Sequence, residues 1–575
     1  MRKTKFYAEY DLIDVTAAAD ATETTSDNQS FGDVSDLSDS ESMENYATLE
    51  DDFFILDGSL PEMPDNPDDV VFFSDTMSDD AGAFADDPQI TIAFTENHTS
   101  FGLTFHFVGD YPKKVKVDWY TLDNILLETE TYDVDNNDYF AQKQVENYGK
   151  IVLSFPEANP YRYVKLRLVE YGTRWAIGGD GLPCEKGEMI TEIAGEANKI
   201  PINTLQFEVI DEYNQFNLGN MAGIHRVLQQ GQKCRAYEYV DDTPVFLGVY
   251  YLNESSASKN VATLKCVDAK GLLDDIEYIG GAVYDGTTTA GTVIEDILDA
   301  AGIEDYTIEA DVASVPLYGW LKNQTCRKAL VEILFACGAV CDSAYGDKLR
   351  IFKPTKIIQN TIKRTRKIST ESEQKEYVSD VSVKYSVYTV KSQTAQIAKG
   401  HYAAGDYLIK LSAPATGMTA TGATITEQSY NYVKISVASE TDVVITGYKY
   451  DKEDLTETAT IEHIEGGARR NAKSFTNSVL DAAGAMARAA ELLDYYKYRL
   501  GLKVKYLADA EKPAAWAVVQ NENREYVEYV AGIEKITTDL TGGYISNAEM
   551  RGYYDVNPYY YYMPEIYTAD EVGAL

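Results

Sequence analysis

Leu205-Gln-Phe-Glu-Val-Ile-Asp211 places apolar Leu205, Phe207 and Val209 at every second position. A period of two lines one face of an extended chain, so it predicts a half-buried strand rather than a helix. Lys233–Tyr239, Val245–Leu252 and Val261–Asp268 are strand-like runs of the same kind. Four or five strands within about 70 residues predict a small barrel over 201–276.

Toward the N-terminus, 172–200 is Gly-rich without a period and reads as a linker. Before it, Ile90, Ile92 and Phe94 alternate, as do Leu103, Phe105 and Phe107, and then Val115, Val117 and Trp119. Short strands are also expected at Tyr46–Glu50, Phe53–Gly58 and Val70–Ser74. Strands at this spacing, bounded by Asp, Asn, Gly and Pro, predict a β-sandwich over 46–171 that folds as a separable unit. Residues 1–45 read as an N-terminal strand and linker; 16–45, rich in Ala, Thr, Ser and Asp, read as a loosely packed excursion.

Toward the C-terminus, 277–355 changes to α/β. Thr292 can cap a helix with Glu295 closing a capping box; Val293, Ile294, Ile297, Leu298 and Ala301 form its buried stripe, and Gly302 ends it. Thr325 caps a second helix with Ala329, Leu330, Ile333, Leu334 and Cys337 inward, and Gly338 ends it. Ala339–Ser343 and Lys348–Phe352 make a hairpin around a turn at 345–347. Residues 356–470 read as strands with an inserted β module between 400 and 465. Within 471–555, Asn477–Leu500 reads as the longest helix, with Ala482, Met486, Ala489, Leu493, Tyr496 and Leu500 inward, followed by a second barrel. Residues 556–575 form a Tyr-rich acidic tail. The chain is thus expected to be mainly β and multidomain (α+β).

The 575 residues carry a net charge of −41, and 1–90 alone hold 24 acidic against three basic residues. Such a chain repels phosphate backbones and anionic membranes, which argues against nucleic-acid binding. There are 44 Tyr against 19 Phe and 4 Trp, and Tyr suits strands and half-wet interfaces. Nothing resembles a signal peptide, and no apolar run is long enough for a membrane span. Six scattered cysteines without a CxxC pair read as small buried hydrophobes.

No HExxH, GxSxG, Walker A or GxGxxG pattern occurs. The run from Asp133 starts like an EF-hand loop, but it lacks Gly at the sixth position and has Gln144 at the twelfth, where a bidentate Glu is needed. Gly280, Gly281 and Gly286 precede a helix as a phosphate loop would, but Asp285 repels an anion and no basic residue follows. His98, His106, His225, His401 and His463 are far apart in sequence. No catalytic residue, no metal ligand and no cofactor is expected.

Leu205 to Phe216, Gln230-Gly-Gln-Lys-Cys-Arg235, Phe246-Leu-Gly-Val-Tyr250 and Leu264-Lys-Cys-Val-Asp268 together resemble the first barrel of phage tail hub proteins. Thr325–Leu330, Gly338–Cys341 and Gly346–Ile351 resemble the α/β domain that follows it in that family, and Ala487–Tyr498 resembles the segment leading into its second barrel. The family's second barrel often carries Gly-Asp before a Val strand, where this chain has Pro513-Ala-Ala-Trp516. The likeness spans 186–555. It implies two hub-type barrels with an α/β unit and an extra β module between them. It also implies a homotrimeric ring in a virion's tail tip, assembled in the host cytoplasm. Two barrels per chain in a trimer give six similar units to match a sixfold tube. The implied partners are a distal tail or tail-tube protein above, a tape-measure protein, and a spike or fibre protein below. Tyr46–Leu49, Leu56–Ser59, Phe73-Ser74, Gly102–Thr104 and Arg162–Val164 resemble a discoidin-type (galactose-binding-like) sandwich, which implies a collar role or contact with a cell-surface glycan. The alternative expectation is a carbohydrate-binding or adhesion protein acting through that sandwich. A tail-associated lysin is disfavoured, because the chain runs only about 20 residues past the last barrel. Four consecutive aromatics, Tyr559–Tyr562, cannot share one face, so 554–575 are expected to dock on a neighbouring subunit or on a spike or fibre protein.

Overall fold

A computed structural model describes residues 2–30, 32–38, 50, 70–179, 181–212, 214–217, 220, 225, 227–274, 276–462, 470–521 and 527–556. The strand expectations at Tyr46–Glu50 (Glu50 apart) and Phe53–Gly58 lie outside these residues, as do Leu56–Ser59, His463 and Tyr559–Tyr562.

The protein is mainly β, with several sheets and separate cores. The largest sheet has 13 strands. Eleven form one path: Lys367–Gln374, Leu500–Leu507, Ile545–Val556, Val527–Asp539, Cys184–Glu192, Thr204–Ile210, Val261–Val267, Thr243–Ser258, Lys233–Val240, Thr4–Ile13 and Gly172–Gly178. Trp516–Gln520 and Ile358–Ile362 branch from Val527–Asp539. The strands expected for two barrels are therefore continuous with one another, and no closed ring forms among the described residues. They still enclose two cores. Leu205, Phe207 and Val209 bury in one with Phe6, Tyr10, Leu247 and Leu264; Leu502, Val504, Val519, Ile533 and Met550 form the other.

Val527–Asp539 joins the two. Glu528–Gly532 pairs with Gln520–Trp516, whereas Lys535–Asp539 pairs with Glu192–Glu188. Its register against Ile545–Val556 shifts between Ile533 and Lys535. A bulge there bends the strand as it passes from one core to the other.

The expected linker 172–200 is instead largely strand. Gly172–Gly178 and Cys184–Glu192 both belong to the large sheet. The pattern was hidden because glycines occupy positions where backbones crowd. A Cβ on Gly172, at φ +153°, would lie 2.1 Å from the Leu12 carbonyl oxygen. Gly172–Gly178 pairs antiparallel with Thr4–Ile13, Ile13 opposite Gly172 and Tyr7 opposite Gly178. Everything between them is an excursion from two adjacent strands.

That excursion holds a seven-stranded sheet, with Phe72–Phe73, Lys165–Glu170, Gln89–Phe107, Asp138–Glu157, Lys114–Tyr120 and Leu126–Asp133 in order and Thr22–Thr24 beside Gln89–Phe107. Ile90, Ile92, Leu103, Phe105, Val117 and Trp119 bury on one core, as their alternation predicts. The described part of 16–45 is not loose: Ala17 and Leu37 are fully buried in this core. Low apolar content concealed it, because two buried side chains are enough to pin the segment.

The α/β unit has the largest core. Ala290–Ala300 buries Val293, Ile294, Ile297 and Leu298, and Ile303 N–H donates to Leu298 O at 3.0 Å around Gly302, φ +66°. Its N-cap is Thr289 rather than Thr292, which lies inside the helix. Cys326–Cys337 starts at Thr325, whose Oγ1 accepts from Lys328 N–H at 3.4 Å, and ends at Gly338. The expected helix 477–500 is shorter, Ala482–Tyr496, capped by Asp481. Asn477 is held elsewhere: its amide donates to Glu332 O at 2.8 Å and its Oδ1 accepts from Val479 N–H at 3.0 Å. Of the expected stripe, Ala489, Leu493, Tyr496 and Leu500 are buried, while its first turn is not. Ala485, Arg488, Ala489, Leu492, Leu493 and Tyr496 face inward while Ala482 and Met486 face out.

Asp380–Tyr402 and Thr441–Thr460 form a long antiparallel ribbon. It begins in the α/β core at Val381, Val383 and Tyr385 and carries the inserted module at its far end. There Met418, Val433, Ile435, Val443 and Ile445 make a small core of their own.

Candidate functional site

Five of the six cysteines are buried and none is disulfide-bonded. Three histidines each lie between two carboxylates. His98 is buried, with Nδ1 3.1 Å from Asp14 and Nε2 2.9 Å from Asp20, tying the start of the excursion to Gln89–Phe107. His106 lies 2.7 Å from Asp138 and 3.2 Å from Glu170; burial opposes its charge, but the two acids outweigh burial and raise its pKa. His401 is exposed, raised by Asp442 and Glu440. His225 stands apart from all of these. These arrangements tie strands to neighbouring segments of the fold. Among the described residues no group of three or more His, Cys, Asp or Glu could hold a metal ion.

The EF-hand-like run begins in the connection between Leu126–Asp133 and Asp138–Glu157, two strands that lie on either side of Lys114–Tyr120, and continues into the second of them. In the glycine loop, Asp285 accepts from Thr287 N–H at 3.1 Å and from its hydroxyl at 2.6 Å, and Tyr318 packs where a Cβ on Gly286 would stand. Thr287 holds that carboxylate's pKa below its usual value, so the turn carries a negative charge and offers nothing to a phosphate.

Two arrangements combine residues distant in sequence. The first is a buried polar clamp between the large sheet and the α/β unit. Lys270, with no exposed surface, places Nζ 3.3 Å from Asp268, 3.0 Å from Asn203 Oδ1 and 3.4 Å from the Glu192 carbonyl. Ser343 donates to Asp268 at 2.6 Å, and Asn203 donates to Asp342 at 3.1 Å. Burial works against the ammonium, yet Asp268 and Asp342 overcome it and raise the Lys270 pKa.

The second is a groove of about 530 Å³ where the helix Ala482–Tyr496 meets the second core. Arg488 and Arg551 form its floor. The Arg488 guanidinium lies 5.0 Å from the Phe335 ring, paired with Glu491. Arg551 lies 4.6 Å from the Tyr495 ring, with Glu534 only at 4.0 Å. Arg488 Nε and Arg551 Nε and Nη1 are buried and find no hydrogen-bond partner among the described residues. Gly338 makes room: a Cβ there would stand 2.7 Å from Arg488 Nη1. The wall is aromatic, with Trp516 5.2 Å from Tyr498, and Glu491, Asp494 and Glu534 also line the groove. Lys353 and Lys356 stand on the rim, Lys356 paired with Asp494 and 4.6 Å from the Tyr498 ring. Sequence reading passed over this site because its residues come from seven separate segments. The available signal was Arg488, a charged residue at stripe spacing with Ala485, Ala489 and Leu492.

No protein-family model matches the chain, and no curated protein matches it. Among solved structures, the chain is similar to a tail protein from Neisseria meningitidis MC58, at 10% identity over 64% of this chain and 92% of that one, TM-score 0.39. It is also similar to the 43 kDa tail protein of prophage MuSo2 from Shewanella oneidensis, at 11% identity over 64% and 94%, TM-score 0.37. A third is prophage tail protein gp18 from Listeria monocytogenes EGD-e, at 10% identity over 63% and 94%, TM-score 0.34.

Proposed function

We propose that the chain is a structural, non-enzymatic subunit of a phage tail or phage-tail-like particle, a baseplate hub. In this reading it forms a homotrimeric ring that joins the tail tube to the tip complex. One observation carries the reading: the three hub-like sequence segments, far apart in the chain, are neighbours in space. The segment 205–268 supplies four adjacent strands of the large sheet. The segment 325–351 is pinned to those strands through the clamp of Lys270, Asp268 and Asp342. The helix ending at Tyr496 leads into Leu500–Leu507 of the same sheet.

Exposed apolar side chains add support. Leu122, Ile125, Leu126 and Leu127 cluster at the tip of the hairpin ending in Leu126–Asp133, an edge strand of the seven-stranded sheet. Apolar edges of this kind mark contacts with other chains. The seven-stranded unit is read as a discoidin-like collar. Tail-tube and tape-measure proteins would lie above the ring and a spike or fibre below it.

Immunogold labelling of intact particles tests the placement. Gold at the distal end of the tail is expected; label on the head or along the tube contradicts it. The purified protein should release no soluble fragments from peptidoglycan or common glycans, and turnover lost on mutating one carboxylate pair would make the chain an enzyme.

A further inference from the structure

The buried clamp around Lys270 holds more than an ion pair needs. Lys270, Asn203 and Asp268 have no exposed surface, and Asp342 keeps 4%. Lys270 Nζ lies 3.0 Å from Asn203 Oδ1, so the amide carbon is one bond beyond that contact. The amide's orientation is fixed at both ends. Its Oδ1 also accepts from the Glu192 backbone N–H at 2.9 Å, and its Nδ2 donates to Asp342 Oδ1 at 3.1 Å. Asp268 lies 3.3 Å from Nζ and is held by the Ser343 hydroxyl at 2.6 Å and the Asn203 backbone N–H at 3.2 Å. An amine, an amide carbon, a donor on the amide oxygen and a carboxylate beside each nitrogen are the parts that acyl transfer requires.

We propose that Lys270 and Asn203 join in an isopeptide bond, which the folded chain forms on itself. The Lys270 ammonium passes one proton to Asp268, a carboxyl whose burial raises its pKa. The freed Nζ lone pair attacks Asn203 Cγ, and the carbonyl π electrons move to Oδ1, where the Glu192 N–H meets the negative charge. Asp342 takes a proton from the attacking nitrogen and hands it to Nδ2. The Cγ–Nδ2 bond breaks, the carbonyl re-forms and ammonia leaves, while Asp268 keeps the proton it received. One Cγ–Nζ bond has replaced one Cγ–Nδ2 bond, and no co-reactant is consumed. Burial keeps out water, the competing nucleophile, and the fold holds both side chains in place, which makes the step intramolecular. The products also suit the site better than the reactants: a neutral amide and a neutral acid replace a buried ion pair, whose desolvation is costly. Asn203 directly precedes Thr204–Ile210, and Lys270 follows its paired neighbour Val261–Val267. The bond therefore staples these two strands at one end and closes the strands between them into a covalent loop. The inference does not rest on the tail role and stands or falls separately from it.

The test is the mass of the purified full chain under denaturing conditions, followed by proteolysis and peptide sequencing. The expected mass is one ammonia below that of the sequence, and the digest should contain a branched peptide that joins the Asn203 and Lys270 segments. The full sequence mass, with both residues recovered in separate linear peptides, overturns the proposal. So does a loss of ammonia without the branched peptide, which is cyclisation of an asparagine on its own backbone. Asp268→Asn and Asp342→Asn address the proton transfers. Each should form the branched peptide roughly 100-fold more slowly, the size of one lost general acid or base, while its circular dichroism matches the wild type. Unchanged formation in either variant overturns the role given to that carboxylate. The wild-type masses decide the bond itself whether or not a variant folds.

Discussion

Lys270 has no contact with water and shares its surroundings with two carboxylates, an amide oxygen and a backbone carbonyl. Removing it leaves Asp268 and Asp342 buried without a counter-charge. Breaking a buried pair from one side costs about 3–5 kcal/mol, well above the value of an exposed pair. Lys270→Met should therefore abolish or strongly lower the melting transition of the large sheet, as followed by circular dichroism. Glu238 is the opposite case. Burial pushes its carboxyl up to about 8, against the pull of Arg2 and the Lys5 backbone N–H. The folded state thus holds the proton more tightly than the unfolded chain, whose Glu titrates near about 4.3. The contribution of Glu238 to stability falls as pH rises from about 4 to about 8 and is level beyond. Glu238→Gln should match the wild type in stability near pH 4 and exceed it increasingly up to about pH 8, by a few kcal/mol at most, with no further gain above. A constant difference across that range would assign the effect to packing instead.

At the scale of elements, the boundary of the seven-stranded unit makes a sharp prediction. Its core includes Ala17 and Leu37, and Thr22–Thr24 pairs with Gln89–Phe107. A fragment 14–171 should melt cooperatively. A fragment 46–171 lacks those contacts and the Asp14–His98–Asp20 tie, and losing the fully buried Leu37 side chain alone costs roughly 2–5 kcal/mol. Equal melting temperatures for the two fragments would show that the excursion packs without stabilising. This is also where sequence reading reached its limit. Ile90, Phe105 and Trp119 were legible because strict alternation makes a buried face visible, and Val293 to Leu298 because helical spacing does. Residues 172–178 were not, since Gly172 and Gly178 answer to a neighbouring backbone rather than to a period. In the helix Ala482–Tyr496 the expected stripe holds at Ala489, Leu493 and Tyr496 but fails at Ala482 and Met486, because alanines satisfy either face, and only contact with Phe335 shows that Arg488 turns inward.

Over the whole molecule, two cores share one sheet, and the seven-stranded unit leaves that sheet between two of its adjacent strands. The β module extends from the α/β unit on a ribbon with exposed Val387 and Val390. This layout places folded units outward from a continuous central sheet, as a subunit that contacts several neighbours requires. The central claim is that the chain assembles as a threefold hub. Light scattering on the purified full chain, across a range of protein concentrations, measures that directly. The account predicts a species near three times 64.0 kDa. A mass that stays at 64.0 kDa at every concentration contradicts it.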